Sequence, residues 1–252
     1  MPNNRRAVVW FSCGASSAVA SKYAIKKYDN LDIVYCDAGG EHSSNIKFLH
    51  DCEKWLNKEI TILKSKKYTN HFDVFRKTKY LSGIRGARCT TELKKKLRLE
   101  YQQPDDIHIF GFTFEEKSRA KKFEEYNPEL FVDWILIEKQ LDKYACLGIL
   151  WKSGITLPKM YDLGYNHNNC IGCVKGGKGY WNKIRVDFPE HFKEMAEIER
   201  EIEHSIFRNM DTNERIYLDE LNPTTGNFKE EPPITCDLSC GLAMQEINEK
   251  KY

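Results

Sequence analysis

The fold is decided by the stretch Ala7-Val-Val-Trp-Phe11-Ser12-Cys-Gly14-Ala-Ser16-Ser17-Ala-Val-Ala20. It begins with an apolar run of strand length, and a helical pattern resumes after a turn of small residues. Such a turn lets backbone N–H groups and hydroxyls approach an anion, while the following helix directs its positive dipole end at the same point. The stretch therefore predicts a strand, a phosphate-binding loop and a helix, although an ordinary β-to-α turn would use Gly14 equally well.

Strand and helix patterns alternate beyond this unit. Strands are predicted at Ala7–Phe11, Asp32–Cys36, Ile60–Leu63 and Ile107–Phe110, and helices at Ser17–Lys27, Asn45–Asn57 and Pro189–Phe207. The βαβαβ order predicts an α/β fold with a Rossmann-like parallel sheet flanked by helices. We expect residues 1–165 to form this domain, and residues 166–252 to form a C-terminal segment with cysteines, a helix and a tail.

Three loops follow predicted strands and should meet at one edge of the sheet. They are Ser12–Ser17, Asp37–His42 and Gly111–Arg119. Ligands of open α/β sheets bind at the carboxyl ends of the strands, so these loops predict one binding crevice.

The overall composition excludes some classes of function. The 252 residues are 41% hydrophobic and 30% charged, which is typical of a globular protein. No apolar run approaches the roughly 20 residues that span a membrane, and the N-terminus does not resemble a secretory signal, so we expect a cytoplasmic protein without membrane contact. A net charge of +2 does not by itself predict nucleic-acid binding.

The nine cysteines divide into two groups. Cys36, Cys52 and Cys146 lie in apolar patterns and are predicted to be core residues. The others of interest lie in polar segments: Cys89, Cys170, Cys173, Cys236 and Cys240. Because the cytoplasm keeps thiols reduced, metal binding or catalysis is the better prediction for this second group.

Several of these segments resemble one known family. Ser12–Ser17 resembles a pyrophosphate loop, Asp37-Ala-Gly39 is similar to an Asp-Thr-Gly at the end of a second strand, Arg88–Lys94 resembles a Cys-containing segment ending in Leu-Lys, and Gly111–Ala120 resembles a Gly-x-Arg…Glu-Ser-x-x-Arg-Ala stretch. Tyr161–Tyr165 is similar to the segment that precedes a Cys-x-x-Cys. Together they resemble the phosphoadenylyl-sulfate (PAPS) reductase branch of the PP-loop adenine-nucleotide alpha-hydrolase, or ATP pyrophosphatase, superfamily.

The resemblance implies an enzyme that binds an adenine nucleotide, with Mg²⁺ as a candidate companion ion. The residues it assigns to the nucleotide are Ser12, Gly14, Ser16, Ser17, Asp37, Gly39, Lys94, Gly111 and Arg119. The cysteine spacing is similar to that of the iron–sulfur adenylyl-sulfate reductases, which implies a [4Fe–4S] cluster on Cys89, Cys170 and Cys173. A zinc site with the same spacing is the alternative.

The tail leaves two assignments open. Cys240-Gly-Leu resembles the reductases' C-terminal Cys-Gly-Leu, whose cysteine attacks the sulfate sulfur, so Cys240 is the candidate nucleophile and Cys236 the candidate fourth ligand. Alternatively, both cysteines bind the metal. The chain departs from the family in having Ser16 where ATP-using members have Asp, Thr113 where reductases have Arg, and Thr90 where they have a second Cys.

Three functions remain open from the sequence. A PAPS reductase-like oxidoreductase would use a thioredoxin-like reductant, whereas a PP-loop sulfurtransferase would thiolate a nucleic acid with ATP and the cluster. The segment Lys175–Arg185 favours the second, because Tyr180 and Trp181 could stack on bases beside basic residues; the alternative is a glycine turn covering the metal site. The third is a nucleotide-binding regulator without catalysis. The sequence also leaves open an oligomer.

Overall fold

The computed structural model describes residues 5–83, 86–232 and 234. The strands are β1 (Ala7–Phe11), β2 (Leu31–Asp37), β3 (Thr61–Lys64), β4 (Ser82–Gly83), β5 (Gly86–Ala87), β6 (Ile107–Ile109), β7 (Phe131–Asp133), β8 (Phe207–Arg208) and β9 (Arg215–Ile216). The α-helices are α1 (Ala15–Lys27), α2 (Ser44–Leu56), α3 (His71–Thr78), α4 (Arg88–Thr90), α5 (Lys96–Tyr101), α6 (Lys117–Tyr126), α7 (Ile135–Glu138), α8 (Lys143–Lys152), α9 (Lys159–Asp162), α10 (Lys178–Asp187) and α11 (Pro189–Glu201). A π-helical segment, Thr91–Lys95, joins α4 to α5, and short 3₁₀ turns span Phe114–Glu116 and Leu218–Glu220.

A five-stranded parallel sheet forms the centre of the molecule, in the order β3-β2-β1-β6-β7. All five residues of β1 are buried, because helices cover both faces of the sheet, as parallel sheets require. One face packs against α1, α2 and α8, and the other against α6 and the aromatic side chains that follow β6. The predicted α/β class, with a parallel sheet flanked by helices, is confirmed.

The predicted C-terminal helix is shorter than expected. It begins at Pro189 as predicted but ends at Glu201 instead of Phe207. Glu203 adopts a left-handed backbone with φ of +53°, which stops the helix, and Phe207 pairs with Ile216 in the β8–β9 hairpin. Apolar periodicity alone did not reveal this break.

A second hydrophobic cluster lies beside the sheet domain, where α3, α10 and α11 pack together. Trp181 is fully buried at its centre, and Tyr165, Tyr180 and Met195 surround it. Within the described residues, no helix is both long and apolar enough to cross a membrane.

Candidate functional site

The loop after β1 has the shape of an anion cradle. The Ser17 hydroxyl organises it, accepting a hydrogen bond from the Ser12 N–H at 3.1 Å and donating one to the Gly14 carbonyl at 2.9 Å. The N-cap residue of α1 is Gly14, which has no side chain to cap the helix, and the first turn has no acidic residue; the Ala15 N–H donates to the Tyr161 hydroxyl at 3.4 Å. The positive end of this helix therefore faces the loop without an acidic side chain in its own first turn.

Gly111 brings the end of β6 against the start of α1. A Cβ atom at this position would lie 2.7 Å from the backbone nitrogen of Ser17 and 2.8 Å from its Cα, closer than side-chain contacts allow. At Gly14, by contrast, the nearest atom to a Cβ would be the Tyr161 hydroxyl at 3.4 Å. Gly111 is therefore needed for packing, whereas a Cβ at Gly14 would make ordinary van der Waals contacts.

These loops enclose a cavity of about 330 Å³ at the carboxyl ends of the strands. Most of the residues predicted to bind the nucleotide line it: Ser12, Gly14, Ser16, Ser17, Lys94, Gly111 and Arg119. The structure thus brings together two of the three loops that the sheet-edge argument predicts, Ser12–Ser17 and Gly111–Arg119, whereas no residue of Asp37–His42 lines the cavity.

Asp37 and Gly39 do not line this cavity, in contrast to the prediction. The Asp37 carboxylate accepts a hydrogen bond from the Gly39 N–H at 2.8 Å and pairs with the Lys64 ammonium at 2.8 Å. Gly39 has a φ of +66°, and a Cβ there would lie 1.9 Å from the Thr69 carbonyl oxygen. In the structure both residues take part in the turn after β2, and their assignment to the nucleotide stays a prediction.

Glu41, from the same loop, contributes to the cavity indirectly. Its carboxylate lies 3.4 Å from the Lys94 ammonium, and it also accepts hydrogen bonds from the Tyr35 hydroxyl and from the Asn45 amide at 3.1 Å. The Glu41 side chain is only 4% exposed and that of Lys94 is 11% exposed. This buried ion pair fixes the Lys94 ammonium at the cavity wall.

The wall after β6 is built around Glu116. Its carboxylate accepts hydrogen bonds from the Thr113 N–H at 3.0 Å and the Thr113 hydroxyl at 3.1 Å, and it also pairs with the Arg119 guanidinium. Arg119 lies over the Phe112 ring, with its Cζ 4.3 Å from the ring centroid. Thr113, which stands where the reductases have an arginine, therefore caps this turn, and Arg119 is the guanidinium held at the cavity.

The sequence argument missed three side chains of the opposite wall: Lys143, His167 and Asn168. Lys143 donates to the Asn166 carbonyl, and burial lowers the pKa of its ammonium. Burial and the nearby Lys143 charge lower the pKa of His167 to about 4, so its imidazole is neutral at pH 7. No local pattern marks these residues, because tertiary packing brings them to the cavity.

Asn168 connects the anion cradle to the cysteine loop. Its amide nitrogen donates to the Cys13 carbonyl at 2.8 Å and to the Asn45 side-chain oxygen at 2.8 Å. Its own side-chain oxygen is buried and has no hydrogen-bond partner among the described residues. Asn168 stands two positions before Cys170, so its hydrogen bond joins the loop after β1 to the segment that carries the cysteines.

The structure places Cys89, Cys170 and Cys173 in one region. Cys89 packs against both hydrophobic clusters that contain the other two cysteines. The Tyr180 hydroxyl shapes the loop between Cys170 and Cys173: it accepts from the N–H groups of Gly172 at 3.1 Å and Cys173 at 3.0 Å and donates to the Cys170 carbonyl at 3.3 Å.

Two further contacts dock this cysteine loop on the sheet domain. The Ile171 N–H donates to the Gly40 carbonyl at 2.8 Å, and the His71 imidazole donates from Nε2 to the Ile171 carbonyl at 3.0 Å. Burial lowers the pKa of His71 to about 4, which keeps the ring neutral. The loop is therefore held in a fixed position by its backbone.

Within the described residues, this region does not contain a complete set of metal ligands. Residues 5–83, 86–232 and 234 contain no group of three or more His, Cys, Asp or Glu side chains placed to hold a metal ion. The predicted ligand Cys236 and the predicted nucleophile Cys240 lie outside the described residues. Cys89, Cys170 and Cys173 supply soft thiol donors of the type that iron–sulfur clusters and zinc use, so the residue chemistry fits either group.

The segment Lys175–Arg185 packs against the cysteine loop through Tyr180. Tyr180 and Trp181 are 3% and 0% exposed, so the expectation that they stack on bases is wrong. The glycines explain this burial: a Cβ at Gly176 would lie 2.0 Å from the Tyr180 ring. The alternative interpretation, a glycine turn covering the cysteine region, describes what the structure contains.

The remaining cysteines that the sequence assigned to the core are buried as predicted. Burial raises the pKa of Cys36, Cys52 and Cys146 to about 12, so these thiols stay protonated at pH 7. A protonated buried thiol is neither a nucleophile nor a metal ligand.

Comparison with known proteins identifies distant relatives only. No protein-family profile matches the chain. It is 19% identical to the uncharacterized protein MJ0973 of Methanocaldococcus jannaschii over 192 residues, which cover 75% of this chain and 46% of the relative. It is 23% identical to the uncharacterized protein MJ0066 of the same organism over 203 residues, which cover 77% and 41%. The chain thus spans less than half the length of these two relatives, and neither name states an activity.

Proposed function

We propose that this protein is a PAPS reductase-like enzyme that binds an adenine nucleotide in the 330 Å³ cavity. The observation that carries the proposal is the convergence of the cradle after β1, the Gly111 turn and the side chains of Lys94 and Arg119 on that cavity. The resemblance of these segments to PP-loop proteins supplies the class of nucleotide. PAPS, adenylyl sulfate and ATP are the candidates.

The cavity can stabilise negative charge that develops on a departing phosphate. The N–H groups at the start of α1 would bind one phosphate oxygen, while Lys94 and Arg119 would neutralise the others. Glu41 and Glu116 hold these two cations in place before the ligand arrives, which reduces the entropy lost on binding.

Cys89, Cys170, Cys173 and Cys236 are the residues that would hold the [4Fe–4S] cluster, with zinc as the alternative metal. A cluster in this position would add a redox-active iron centre beside the nucleotide, whereas zinc would stabilise the loop. Asn168 would keep the cysteine loop aligned with the cradle through its hydrogen bond to the Cys13 carbonyl.

Cys240 would perform the transfer itself. Its thiolate attacks the sulfate sulfur of PAPS, forming an S–S bond as the sulfur–oxygen bond to the nucleotide phosphate breaks. A dithiol of the thioredoxin type then attacks the Cys240 sulfur, sulfite leaves with the bonding electron pair, and the second thiol of the reductant restores Cys240 while the reductant is oxidised to a disulfide.

Anaerobic purification followed by iron, sulfide and zinc analysis tests the metal centre. Calorimetry with PAPS, adenylyl sulfate and ATP tests the cavity, using Gly14→Val to place a branched side chain against the Tyr161 and Ser12 hydroxyls that line it. PAPS-dependent sulfite release should disappear in Cys240→Ser while its metal remains, and Cys236→Ser should lose metal. Absence of nucleotide binding by the metal-loaded protein would contradict the proposal, and binding without turnover would indicate the regulator.

A second candidate is an ATP-dependent sulfurtransferase that thiolates a nucleic acid. The observation that favours it is an open basic groove beside Cys89, lined by four cationic side chains and one carboxylate. ATP-dependent thiolation of an oligonucleotide, measured by mass spectrometry, would distinguish this candidate from sulfite release.

A further inference from the structure

The basic groove is lined by residues from the loop before α3, from α3 and from the segment Arg88–Lys96. It has a volume of about 520 Å³ and is open to solvent. Its basic side chains are Lys67, Lys77, Arg88 and Lys96, and its one acidic lining residue is Glu92. None of the residues proposed to bind the nucleotide lines it; Thr91, Glu92 and Lys96 line the groove, whereas Lys94 lines the cavity.

Glu92 organises the inner wall of the groove. Its carboxylate is 3% exposed and pairs with the Arg88 guanidinium at 2.8 Å and with the Lys96 ammonium at 2.6 Å. One buried carboxylate thus holds two cations in place along this wall. Four cationic side chains and one carboxylate line the groove, which favours an anionic ligand.

The outer wall carries two exposed lysines around one tyrosine. The ammonium groups of Lys67 and Lys77 lie 5.1 Å and 5.6 Å from the centroid of the Tyr68 ring. Lys77 also pairs with Asp73 at 2.9 Å, but both lysine side chains remain exposed to solvent. These ammonium groups can therefore contact a ligand without breaking a buried ion pair.

An exposed aromatic ring completes the groove. Tyr80 is 40% exposed and lines it, and the His204 ring lies almost parallel at 6.5 Å between centroids. Cations that follow a backbone together with an aromatic face that accepts a base are the features by which proteins bind single-stranded nucleic acids. Tyr80 therefore has the exposure that buried Tyr180 and Trp181 lack.

The groove adjoins the cysteines directly. Tyr68 packs in the same hydrophobic cluster as Cys170 and Cys89, and Arg88 precedes Cys89 in the chain. We propose that the groove formed by Lys67, Lys77, Tyr80, Arg88 and Lys96 binds the phosphate backbone and one base of a single-stranded nucleic acid. A role of this strand as sulfur acceptor rests on the proposed function, whereas the binding itself does not.

Fluorescence anisotropy with a labelled single-stranded RNA and DNA oligonucleotide tests the groove, without nucleotide and with the metal content measured separately. The double variant Lys67→Glu/Lys77→Glu should bind at least about 10-fold more weakly at low salt. The slope of log affinity against log salt should decrease by about 0.7 for each lost phosphate contact. Tyr80→Ala should weaken binding by about 10-fold.

Matched controls exist on other helices. Lys47→Glu/Lys54→Glu makes the same charge change on α2, where Lys47 also pairs with a carboxylate four residues away, and Tyr144→Ala removes a tyrosine that is 82% exposed on α8. These variants should bind normally. Equal losses in control and groove variants, or no salt-dependent binding by the wild type, would overturn the proposal. Binding of poly-glutamate as tightly as the oligonucleotide would also overturn it, in favour of an acidic protein partner.

Discussion

The cavity and the basic groove both collect cations, but they hold them differently. In the cavity each cation has a partner that fixes its position: Glu41 for Lys94, Glu116 for Arg119 and a backbone carbonyl for Lys143. In the groove Lys67 and Lys77 are exposed to solvent, and the partner of Lys77 is Asp73 on the same helix. Fixed, shielded cations select the shape of a small anion, whereas exposed cations bind any polyanion and respond to salt.

The largest effect is expected from a variant that disrupts the cavity and leaves the groove intact. Gly111→Ala places a methyl group 2.7 Å from the Ser17 nitrogen, which pushes the start of α1 away from β6. We expect nucleotide affinity to fall at least about 100-fold, as removal of a preorganised anion site does. Calorimetry measures the affinity, and oligonucleotide binding by the groove should stay within about twofold.

Gly148→Ala on α8 is the matched control, because a Cβ at that position would meet no atom within 4 Å. It should bind nucleotide normally and be slightly more stable, since alanine favours a helix over glycine. Normal nucleotide binding by Gly111→Ala would show that the cradle tolerates displacement, and the cavity would lose its defining feature.

The next effect concerns the cysteine loop, which contacts both regions. Cys170→Ser should lose most of the bound iron or zinc and lower the melting temperature, because removal of one ligand destabilises the whole centre. Cys146→Ser, which replaces another buried cysteine, should keep its metal. Elemental analysis and thermal unfolding provide the measurements, and full metal content in Cys170→Ser would rule out the shared centre.

A smaller effect tests the preorganisation of Lys94. Glu41→Gln retains the size of the side chain but removes the charge that holds the ammonium, so nucleotide affinity should fall about 10-fold. Glu138→Gln, which alters an exposed ion pair with Lys27, should change affinity by less than about twofold. If the two variants bind alike, the Lys94 position does not depend on Glu41.

The smallest expected effect is on the pH dependence of protein stability. The pKa of His167 is about 4 in the folded protein and 6.5 in the unfolded chain, so the unfolded state binds the proton first as pH falls. This residue's contribution to stability is complete above pH 6.5 and is lost as pH falls toward 4. As pH falls, the free energy of unfolding measured in urea should decrease less in His167→Gln than in the wild type. The control His50→Gln, which replaces an exposed histidine, should show the same decrease as the wild type.

The nucleotide affinity of the wild type and of His167→Gln should change little between pH 6 and 8, since the His167 imidazole is neutral in this range. A steep increase in affinity as pH falls from 7 to 6 would show that His167 carries a charge, and the cavity would then depend on protonation in a way the groove does not.

The sequence predicted the elements whose pattern is local. Apolar runs marked β1, β2 and β3, and the small-residue loop marked the cradle, because strand length and turn chemistry are encoded within a few residues. The three cysteines at Cys89, Cys170 and Cys173 were found by spacing, and the structure places them in one region.

The sequence failed where tertiary packing decides. Lys143 and His167 reach the cavity because α8 and the loop after α9 fold back over the sheet edge, and neither lies in a recognisable motif. The sequence suggested that Tyr180 is exposed beside basic residues, but its ring packs against Gly176, which has no side chain to block it. Asp37 followed a strand as a ligand would, but the adjacent Lys64 already neutralises it.

The Asn168 amide has a consequence for how the two halves of the site communicate. Under the proposed function, the hydrogen bond from Asn168 to the Cys13 carbonyl links the nucleotide loop to the chain segment before Cys170. Thermodynamic reciprocity requires any coupling between the two ligands to act equally in both directions. The factor by which loss of the metal lowers nucleotide affinity would then equal the factor by which bound nucleotide raises metal affinity, and nucleotide should protect the metal from chelators at equilibrium.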